Sequence, residues 1–409
     1  MSAARGAAVA RTLVTADAPP PVRGAGGVRE VDHGGVAWDA DGRIVYVGGA
    51  GDLPWPATHG DPDAGCIIPG FVDCHTHLPF VGWRADEFEA RLAGRTYRDV
   101  AGQGGGIARS SRMLADASDD EVLAFCRAIG GEMASCGTTA LELKTGYGLS
   151  IEAELRQARL ARRLAEELPQ TCTVTLLACH AVPPGVTRSD WVRVACDELI
   201  PAAAGQGLVD AVDIYVEDIA FDLDDLARVE EAATAVGLPL RCHADQLGPS
   251  GAAEAAVALG ARSADHLNHA GEAGVAALGA GGTAAVLLPA STFVLQAGAP
   301  PATALAAAGA VIAVGTDCNP GTAPVYSMPE AIAMACTLYG MTPRAALVAA
   351  TATPAWVMGL HERLGRLEVG MRADLALLEE AEIAQIPYRP GHDPVVATLV
   401  AGQQVAGRS

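Results

Sequence analysis

The chain has 409 residues, half of them hydrophobic and 4% aromatic, which is enough for one large core or for a large core and a small one. Its formal net charge is −20 and it contains no basic block, which argues against nucleic acid and anionic membranes as partners. No apolar run is long enough to cross a bilayer, and the N-terminus lacks the apolar segment of a signal peptide. The ten cysteines are scattered without a Cys-x-x-Cys pair, so we expect a cytoplasmic protein with reduced, buried thiols.

Both ends of the chain carry short strand patterns. The stretch "GGVAWDADGRIVYVGG" contains two strand-like runs around Asp41 and Gly42, a sequence typical of a hairpin turn. Near the other end, "ADLALLE" and "VVATLVAGQQV" are again short strands. Neither part is long enough to be a domain by itself, so we predict one small β-sandwich domain assembled from residues 1–66 and 361–409.

Between them, residues 67–360 alternate strand-like runs with helical patterns. Helical spacing is clear in "SIEAELRQARLARRLAEEL" and "DLDDLARVEEAATAVG", and Gly or Pro commonly follows such segments. Strict alternation indicates parallel strands joined by helices, and eight units of this length predict an α/β fold, a (β/α)8 barrel of the TIM type. The eight strands are "GFVDCHTH", "TALELKTG", "TVTLLACH", "VDIYVED", "LPLRCHAD", "SADHLNH", "TAAVLLP" and "AVIAVGTD".

Polar residues collect at the carboxyl ends of these strands, the face where chemistry takes place in such barrels. His75 and His77 end the first strand and point to the same face, because side chains alternate along a strand. Five of the ten histidines fall at these strand ends, which scattered core histidines would not do. The residues at the other ends are Lys144, Gly146, Tyr147, His180, Glu217, His243, Asp245, Gln246, Asp265, His266 and Asp317.

Imidazoles together with one carboxylate form a site for one divalent ion, Zn²⁺ or Fe²⁺. We predict that the ligands are His75, His77, His243 and Asp317, with one position left for water. His266 is then a candidate proton carrier or oxyanion partner; the alternative is that it orients a ligand.

Three cysteines, Cys74, Cys242 and Cys318, lie beside predicted ligands. Strand alternation turns the first two toward the helices, so we interpret all three as buried apolar residues. Lys144 is the chain's single lysine, and Asn268 and Asn319 are its two asparagines, while arginine supplies the other basic residues. A residue type that the chain otherwise avoids is a better functional candidate than usual when it stands at a strand end.

Motifs along nearly the whole chain resemble the imidazolonepropionase family of the amidohydrolase superfamily. His-x-His is common to the superfamily, whereas "ELKTGYGL" together with "TDCNPGTAP" is far more specific. The resemblance implies hydrolysis of 4-imidazolone-5-propanoate to N-formimidoyl-L-glutamate, a barrel with a small β domain, one Zn or Fe ion and a homodimer. The other matching motifs are "PGFVDCHTHLPF", "GWRADEFEARLAGRTY", "GQGGGI", "ACHAVPP", "RCHADQL", "SADHL" and "AVLLP".

The resemblance also implies roles for single residues. Arg84 matches the arginine that binds the substrate, and a guanidinium suits the propionate carboxylate; the alternative is a solvated loop arginine. Asp317 and His266 are the predicted catalytic residues. The remaining implied contacts to substrate or product are Tyr147, His180, Gln246, Asn319, Gly321 and Thr322. The glycines of 104–106 match a family loop, or form a plain flexible one.

Several alternatives remain open at this point. Many superfamily members bridge two metals with a carboxylated lysine on the fourth strand, where this chain has none; Glu217 could in principle bridge, but one metal is the simpler interpretation. "HLNHAG" and "LLPASTF" depart from the family pattern and affect the expected loop shape. A deaminase would need a carboxylic acid where Gln246 stands. A barrel that has lost catalysis is the second rival, because fold alone does not establish activity.

Overall fold

The computed structural model describes residues 5–408, apart from the side chains of residues 97 and 101. The strands are β1 (Gly6–Ala16), β2 (Val28–Trp38), β3 (Ile44–Gly49), β4 (His59–Pro69), β5 (Phe71–Asp73), β6 (Thr138–Lys144), β7 (Thr171–Cys179), β8 (Ala211–Val216), β9 (Leu240–Ala244), β10 (Ser263–His266), β11 (Ala284–Leu287), β12 (Val311–Val314), β13 (Leu375–Leu378), β14 (Val395–Val400) and β15 (Gln403–Gly407).

The helices are α1 (Ala85–Leu92), α2 (Tyr97–Gly102), α3 (Ile107–Asp116), α4 (Asp119–Ser135), α5 (Ile151–Glu167), α6 (Arg188–Val194), α7 (Ile200–Gly205), α8 (Leu223–Ala235), α9 (Ala252–Ala258), α10 (Glu272–Ala280), α11 (Pro289–Leu295), α12 (Ala302–Ala307), α13 (Met328–Tyr339), α14 (Pro343–Ala349), α15 (Ala352–Val357) and α16 (Gln385–Tyr388). A π-helical stretch, Ala195–Leu199, joins α6 to α7, and a short 3₁₀ turn, Ala50–Asp52, follows β3.

Strands β5 to β12 form an eight-stranded parallel sheet in chain order, with helices as the crossovers. The barrel closes just beyond β5 and β12, where Asp317 N donates to His75 O at 2.9 Å and His77 N donates to Cys318 O at 2.9 Å. Asp73 stabilises this seam by accepting bonds from the backbone and the hydroxyl of Thr316, at 3.1 and 2.5 Å. The seam therefore places residues of the first and eighth strands side by side at the barrel mouth.

The two ends of the chain build a second, seven-stranded sheet in the order β15-β14-β13-β4-β1-β2-β3. Parallel pairing of β1 with β4 and antiparallel pairing of β4 with β13 join the N-terminal and C-terminal parts. A separate core of Leu13, Trp38, Ile67 and Leu399 covers one face. The predicted fold class, a (β/α)8 barrel with a small β-sandwich domain from both chain ends, is confirmed as a barrel with a separate mixed sheet built from both termini.

Two details of the terminal sheet differ from the sequence patterns that we used. β1 is an eleven-residue strand inside the sheet, between β4 and β2, and it was not predicted. β4 runs from His59 to Pro69, so the predicted boundary between residues 66 and 67 falls inside it. The residue numbers of the domain division stay a prediction.

Helix starts follow the expected capping chemistry. Ser118 and Glu121 form a reciprocal capping box at α4, and Asp222 with Asp225 forms one at α8. Such caps satisfy the free backbone N–H groups of the first turn. Among residues 5–408, no helix is both long and apolar enough to cross a membrane.

Candidate active site

Four imidazoles meet at the carboxyl end of the barrel strands. The ring centres of His75 and His243 are 4.5 Å apart, those of His75 and His77 5.3 Å, and those of His243 and His266 5.3 Å. Asp317 joins them from the eighth strand, and all five side chains are buried. Within the described chain, two sets of donor atoms could hold a metal ion, His75 with His77 and His243, and His75 with His266 and Asp317.

The donor atoms in this group lie close to one another. Asp317 Oδ1 lies 3.2 Å from His77 Nε2 and 3.5 Å from His75 Nε2. Burial, followed by nearby positive groups, lowers the pKa of His75 and of His77 well below the ordinary value, so both rings are neutral. Buried oxygen and nitrogen lone pairs that face each other repel, and a cation between them removes the repulsion. His75 Nε2, His243 Nε2 and Asp317 Oδ1 have no hydrogen-bond partner, so this donor set fits a divalent ion.

Two carboxylates fix the orientation of two predicted ligand histidines. His75 Nδ1 lies 2.6 Å from Asp265 Oδ2, and His243 Nδ1 lies 3.1 Å from Asp213 Oδ2. A ring that donates from Nδ1 to a carboxylate presents the lone pair of Nε2 to a metal. The predicted ligands His75 and His243 are therefore held in the tautomer that metal binding requires. Asp213 was not among the predicted site residues, because it lies in the interior of β8 rather than at its end.

A buried set of ion pairs lies beneath these carboxylates. Lys144 Nζ contacts Asp213 Oδ2 at 2.7 Å and Glu142 Oε2 at 2.9 Å, while Arg241 pairs with Glu142 and, at 3.0 Å, with Asp265 Oδ2. Burial alone raises the pKa of Asp213, but His243 and Lys144 outweigh it and hold that pKa well below the usual range. Burial and Arg241 act to lower the pKa of Lys144, but Asp213, Glu142 and Asp265 outweigh them and raise it.

His266 and Asp317 occupy unusual backbone positions. Their φ angles are 79° and 58°, in the left-handed region that non-glycine residues rarely adopt. Such strain is typical of functional sites, where the surrounding structure holds it in place. Burial lowers the pKa of His266 to about 3, and burial raises the pKa of Asp317. His266 Nδ1 has no hydrogen-bond partner, so the ring is free to act on a ligand or a substrate.

Above the histidines is a cavity that is partly open to solvent. It brings together most of the predicted site residues; Gly321 and His75 lie outside its lining. Four lining residues, Ile107, Tyr215, Leu247 and Leu295, were not predicted, because nothing in their local sequence distinguishes them from core residues. The predicted residues that line it are His77, Arg84, Tyr147, His180, His243, Gln246, His266, Asp317, Asn319 and Thr322.

Arg84 stands at one wall of the cavity, just before α1. Its Nη1 donates to Gly106 O at 2.5 Å and to Ser110 Oγ at 2.8 Å, and its Nε lies 3.2 Å from Glu87 Oε2. A Cβ atom at Gly321 would overlap Arg84 Nη2, so glycine is required there for the guanidinium to fit. Arg84 is buried, which excludes the solvated loop arginine that was the alternative.

Helix α5 holds the loop that carries Tyr147. Glu154 accepts the N–H groups of Gly146, Gly148 and Leu149 at 3.0, 2.6 and 3.0 Å. This loop also orients His180, because His180 Nδ1 lies 3.0 Å from Gly146 O. Gly146 has φ +114°, and a Cβ atom there would come within 2.8 Å of His180 Nδ1. The sequence pattern did not indicate this role of Glu154, which looks like an ordinary helix residue.

The remaining predicted contacts belong to two further loops. Gln246 Nε2 donates to Ser291 Oγ at 3.3 Å, and Asn319 Oδ1 accepts Gly321 N at 2.9 Å and Thr322 N at 2.8 Å. The amide of Asn319 thus shapes the loop after β12. Glu217 accepts the backbone N–H groups of Gln246 and Leu247 at 2.6 and 2.7 Å. One oxygen of this carboxylate, Oε1, thus holds the loop after β9, which argues against Glu217 as a bridge between two metals.

The cysteines beside the ligands are packed into the interior. Cys74, Cys242 and Cys318 are fully buried within hydrophobic clusters, and burial raises the pKa of each thiol. Neither candidate set of metal donors in the described residues includes a cysteine. The prediction that these residues are small apolar core residues is confirmed.

Comparison with known proteins agrees with this architecture. The model of the amidohydrolase family matches residues 66–405. An imidazolonepropionase of Aeromonas salmonicida is 43% identical over 86% of either chain, and one of Xanthomonas campestris is 43% identical over 94% of this chain and 95% of its own. Two solved structures share the fold, an adenosine deaminase from Xanthomonas campestris with bound zinc (TM-score 0.73, 20% identity, 99% and 94% of the two chains) and the E. coli guanine deaminase (TM-score 0.70, 15% identity, 99% and 100%).

Proposed function

The chain belongs to the amidohydrolase family and, within it, to the imidazolonepropionases, and we propose that the residues at the barrel mouth carry out the hydrolysis for which that family is named. The reaction opens the ring C–N amide bond of 4-imidazolone-5-propanoate and gives N-formimidoyl-L-glutamate, a step in histidine degradation. The observation that carries the assignment of the site is the cluster of unpartnered imidazole and carboxylate atoms beneath a cavity walled by Arg84.

One divalent ion, Zn²⁺ or Fe²⁺, completes the site in this proposal. His75, His77, His243 and Asp317 hold it, since two overlapping sets of possible metal donors share His75 and between them contain all four residues, and His75 Nε2, His243 Nε2 and Asp317 Oδ1 have no other partner. When bound, such an ion acidifies water and polarises a carbonyl. A single ion is favoured because the carboxylate of Glu217 and the ammonium of Lys144 are already occupied by other partners.

Different cavity residues bind different parts of the substrate. Arg84 binds the propionate carboxylate, and its buried positive charge offsets the repulsion that an anionic substrate meets from a chain of charge −20. Tyr147, His180 and Gln246 contact the ring, and Gln246 hydrogen-bonds its amide. The loop of Asn319, Gly321 and Thr322 holds substrate and product.

Two residues act on the transferred proton and on the negative charge that develops on the ring carbonyl oxygen. The attacking water loses a proton and the departing ring nitrogen gains one. Asp317 accepts the first proton on one carboxylate oxygen and passes it to the departing nitrogen. His266 polarises the ring carbonyl oxygen as negative charge develops there.

The rival activity is deamination, since two proteins of the same fold are deaminases. Identity of 15–20% shows the fold alone. Gln246 stands where deaminases of this superfamily typically place a carboxylic acid, and an amide cannot shuttle a proton to a leaving amine. This chain therefore lacks the group that the rival reaction needs.

A substrate panel tests the proposal directly. The purified protein, loaded with Zn²⁺ or Fe²⁺, is given 4-imidazolone-5-propanoate, N-formimidoyl-L-glutamate and guanine. We expect loss of the ultraviolet absorbance of the imidazolone ring and no release of ammonia from the other two compounds. Deamination of either compound with an unchanged imidazolone ring rejects the proposal, and inactivity toward all three with full metal content supports the rival view of a catalytically silent barrel.

Assembly and location complete the proposal. We expect a homodimer, and the molecular mass of the purified protein, measured by light scattering, tests this. We also place the protein in the cytoplasm, because the ten cysteines are all free, as in a reducing compartment.

A further inference from the structure

We propose that Lys144 is a positioning residue of the metal centre: it holds Asp213 against Nδ1 of His243 and thereby fixes how His243 presents Nε2 to the metal. The inference rests on the ligand set of the proposed function. It gives a task to the one lysine of the chain, which lies at the end of β6 and does not line the substrate cavity. Lys144 therefore does not touch substrate and acts through other residues.

The contacts that carry the inference form one short path. Lys144 is fully buried, and its Nζ lies 2.7 Å from Asp213 Oδ2. Both oxygens of Asp213 face His243 Nδ1, Oδ2 at 3.1 Å and Oδ1, which forms the hydrogen bond, at 3.2 Å. Asp213 Oδ1 is tied to the backbone by Ile214 N at 2.8 Å. The carboxylate is thus fixed between one cation and one ligand ring, and its position depends on both.

A second path leads from Lys144 to the other side of the metal site. Glu142 lies 2.9 Å from Lys144 Nζ and also pairs with Arg241, which contacts Asp265 at 3.0 Å. Asp265 in turn holds His75 Nδ1 at 2.6 Å. Two ligand histidines are therefore the ends of one connected set of buried charges, with Lys144 near its middle.

The balance of charge in this set explains why the ammonium is needed. Three carboxylates, Glu142, Asp213 and Asp265, share the two cations Lys144 and Arg241. Without Lys144 a single guanidinium would face all three, and unpaired buried charges rearrange or lose their charge. Asp213 would then no longer be held as an acceptor for His243.

The choice of lysine also follows from the space available. An ammonium is compact and directs three donors outward, whereas a guanidinium is planar and wider. Here two carboxylates approach one fully buried nitrogen within 3 Å. Arginine supplies every other basic position of the chain except the histidines, so the lysine at this position satisfies a requirement that arginine does not meet.

The test is metal affinity, measured apart from activity. Lys144→Met keeps the length of the side chain and removes its charge. We expect the Zn²⁺ dissociation constant, from competition with a chromophoric chelator, to rise about 10–100-fold, as for loss of other groups that orient metal ligands. The absorption bands of the Co²⁺-loaded protein should shift as well, because they report ligand geometry. Asp374→Asn is the matched control, since it neutralises a buried carboxylate in the terminal domain and should leave both readouts unchanged.

A thermodynamic cycle asks whether Lys144 acts through Asp213. Asp213→Asn alone should weaken Zn²⁺ binding, and adding Lys144→Met to it should weaken binding little further. Losses that add in full, or unchanged affinity and Co²⁺ bands in Lys144→Met, overturn the proposal. Where Lys144→Met does not fold, the double variant, which removes one charge of each sign, is compared with Asp213→Asn, and equal affinities support the proposal whereas weaker binding by the double variant overturns it.

His243→Ala separates this inference from the ligand set on which it rests. If His243→Ala keeps full Zn²⁺ affinity, the assigned ligands are wrong. If His243→Ala loses the metal while Lys144→Met keeps it unchanged, the ligand set stands and only the role of Lys144 is wrong.

Discussion

At the scale of single residues, Arg84 serves both a loop and the cavity. Nη1 is occupied by Gly106 and Ser110, while Nη2 lies over Gly321 beside the cavity. A lysine keeps the charge but cannot reach both places with one ammonium. We expect Arg84→Lys to raise KM roughly tenfold or more, because one charge-assisted hydrogen bond is worth about 1.5–3 kcal/mol. Steady-state kinetics with 4-imidazolone-5-propanoate measure the change.

The control for Arg84 is an exposed arginine beside the same glycine loop. Arg112 donates to Gly104 O at 2.6 Å but does not line the cavity. Arg112→Lys should therefore leave KM within about twofold of the parent value. An unchanged KM in Arg84→Lys would show that Arg84 holds the Gly106 loop and leaves the propionate to another residue.

Substitutions of His266 and Asp317, two residues with strained backbones, test which part of catalysis each one supports. We expect His266→Ala to keep its metal and to lose kcat by about 10²-fold or more, as when an oxyanion donor or an acid–base group is removed. Asp317→Asn should lose turnover and also weaken metal binding, because Asp317 Oδ1 faces two ligand rings. Metal analysis beside single-turnover kinetics separates the two effects.

The structure makes one outcome for His266 especially informative. His266 shares a potential set of metal donors with His75 and Asp317. Loss of metal from His266→Ala would make it a ligand and change the coordination proposed here. Normal kcat would instead make it a neighbour that orients ligands, with His180 the next candidate for the proton.

At the scale of elements, α5 determines the shape of the loop that follows β6. The buried carboxylate of Glu154 accepts three backbone N–H groups there. Glu154→Gln replaces an acceptor oxygen with an NH₂ group that faces N–H donors. We expect the free energy of unfolding to fall by about 1–3 kcal/mol, the cost of leaving buried donors unsatisfied.

The same change should reach the active site without touching it. Tyr147 and His180 are positioned by this loop, so KM should rise in Glu154→Gln while metal content stays full. Urea unfolding and kinetics together measure the two effects. Glu152→Gln, on the exposed side of α5, is the control and should change neither. If KM is unaffected, the loop is held by Gln157 and its neighbours alone.

At the level of elements, the sequence predicted the features that follow from the order of strand and helix patterns alone. Alternating strands and helices predicted the barrel, and topology then placed His75, His243 and Asp317 at one mouth although they are far apart in the chain. The pairing of Lys144 with Asp213 could not be predicted, because it depends on which residues of β6 and β8 face the same interior layer. Glu142 and Arg241 look like ordinary strand residues until register brings them together.

Two other features were not predicted because they depend on contacts between residues distant in the sequence. β1 begins with an alanine-rich sequence and was not predicted as a strand; pairing with β2 and β4 places it inside the sheet. Likewise, the path of α1 to α3 above the cavity is set by long-range bonds such as Arg84 N to Pro320 O. Such contacts join residues distant in sequence and leave no local signal.

At the scale of the whole molecule, the proposed metal joins residues of the barrel that are far apart in the sequence. His75 and His77 follow β5, His243 lies on β9, and Asp317 follows β12, so the ligands span the first, fifth and eighth strands of the barrel. Without a cation, the neutral rings and the carboxylate face each other as buried, unsatisfied acceptors. Binding therefore stabilises the folded barrel specifically, because the unfolded chain does not bring these residues together.

We therefore expect removal of the metal to lower the melting temperature of the whole protein. Binding at about 1,000 times the dissociation constant contributes about 4 kcal/mol. With a shift of about 2–4 °C per kcal/mol in domains of this order of size, the melting temperature should fall by on the order of 10 °C. Calorimetry of dialysed, metal-free protein, before and after Zn²⁺ is added back, measures the difference. Asp374→Asn should keep the same metal-dependent shift from a lower starting temperature, whereas His243→Ala should show little or none. Identical melting curves with and without the ion in the parent protein would mean that these four residues do not hold a metal in the folded state.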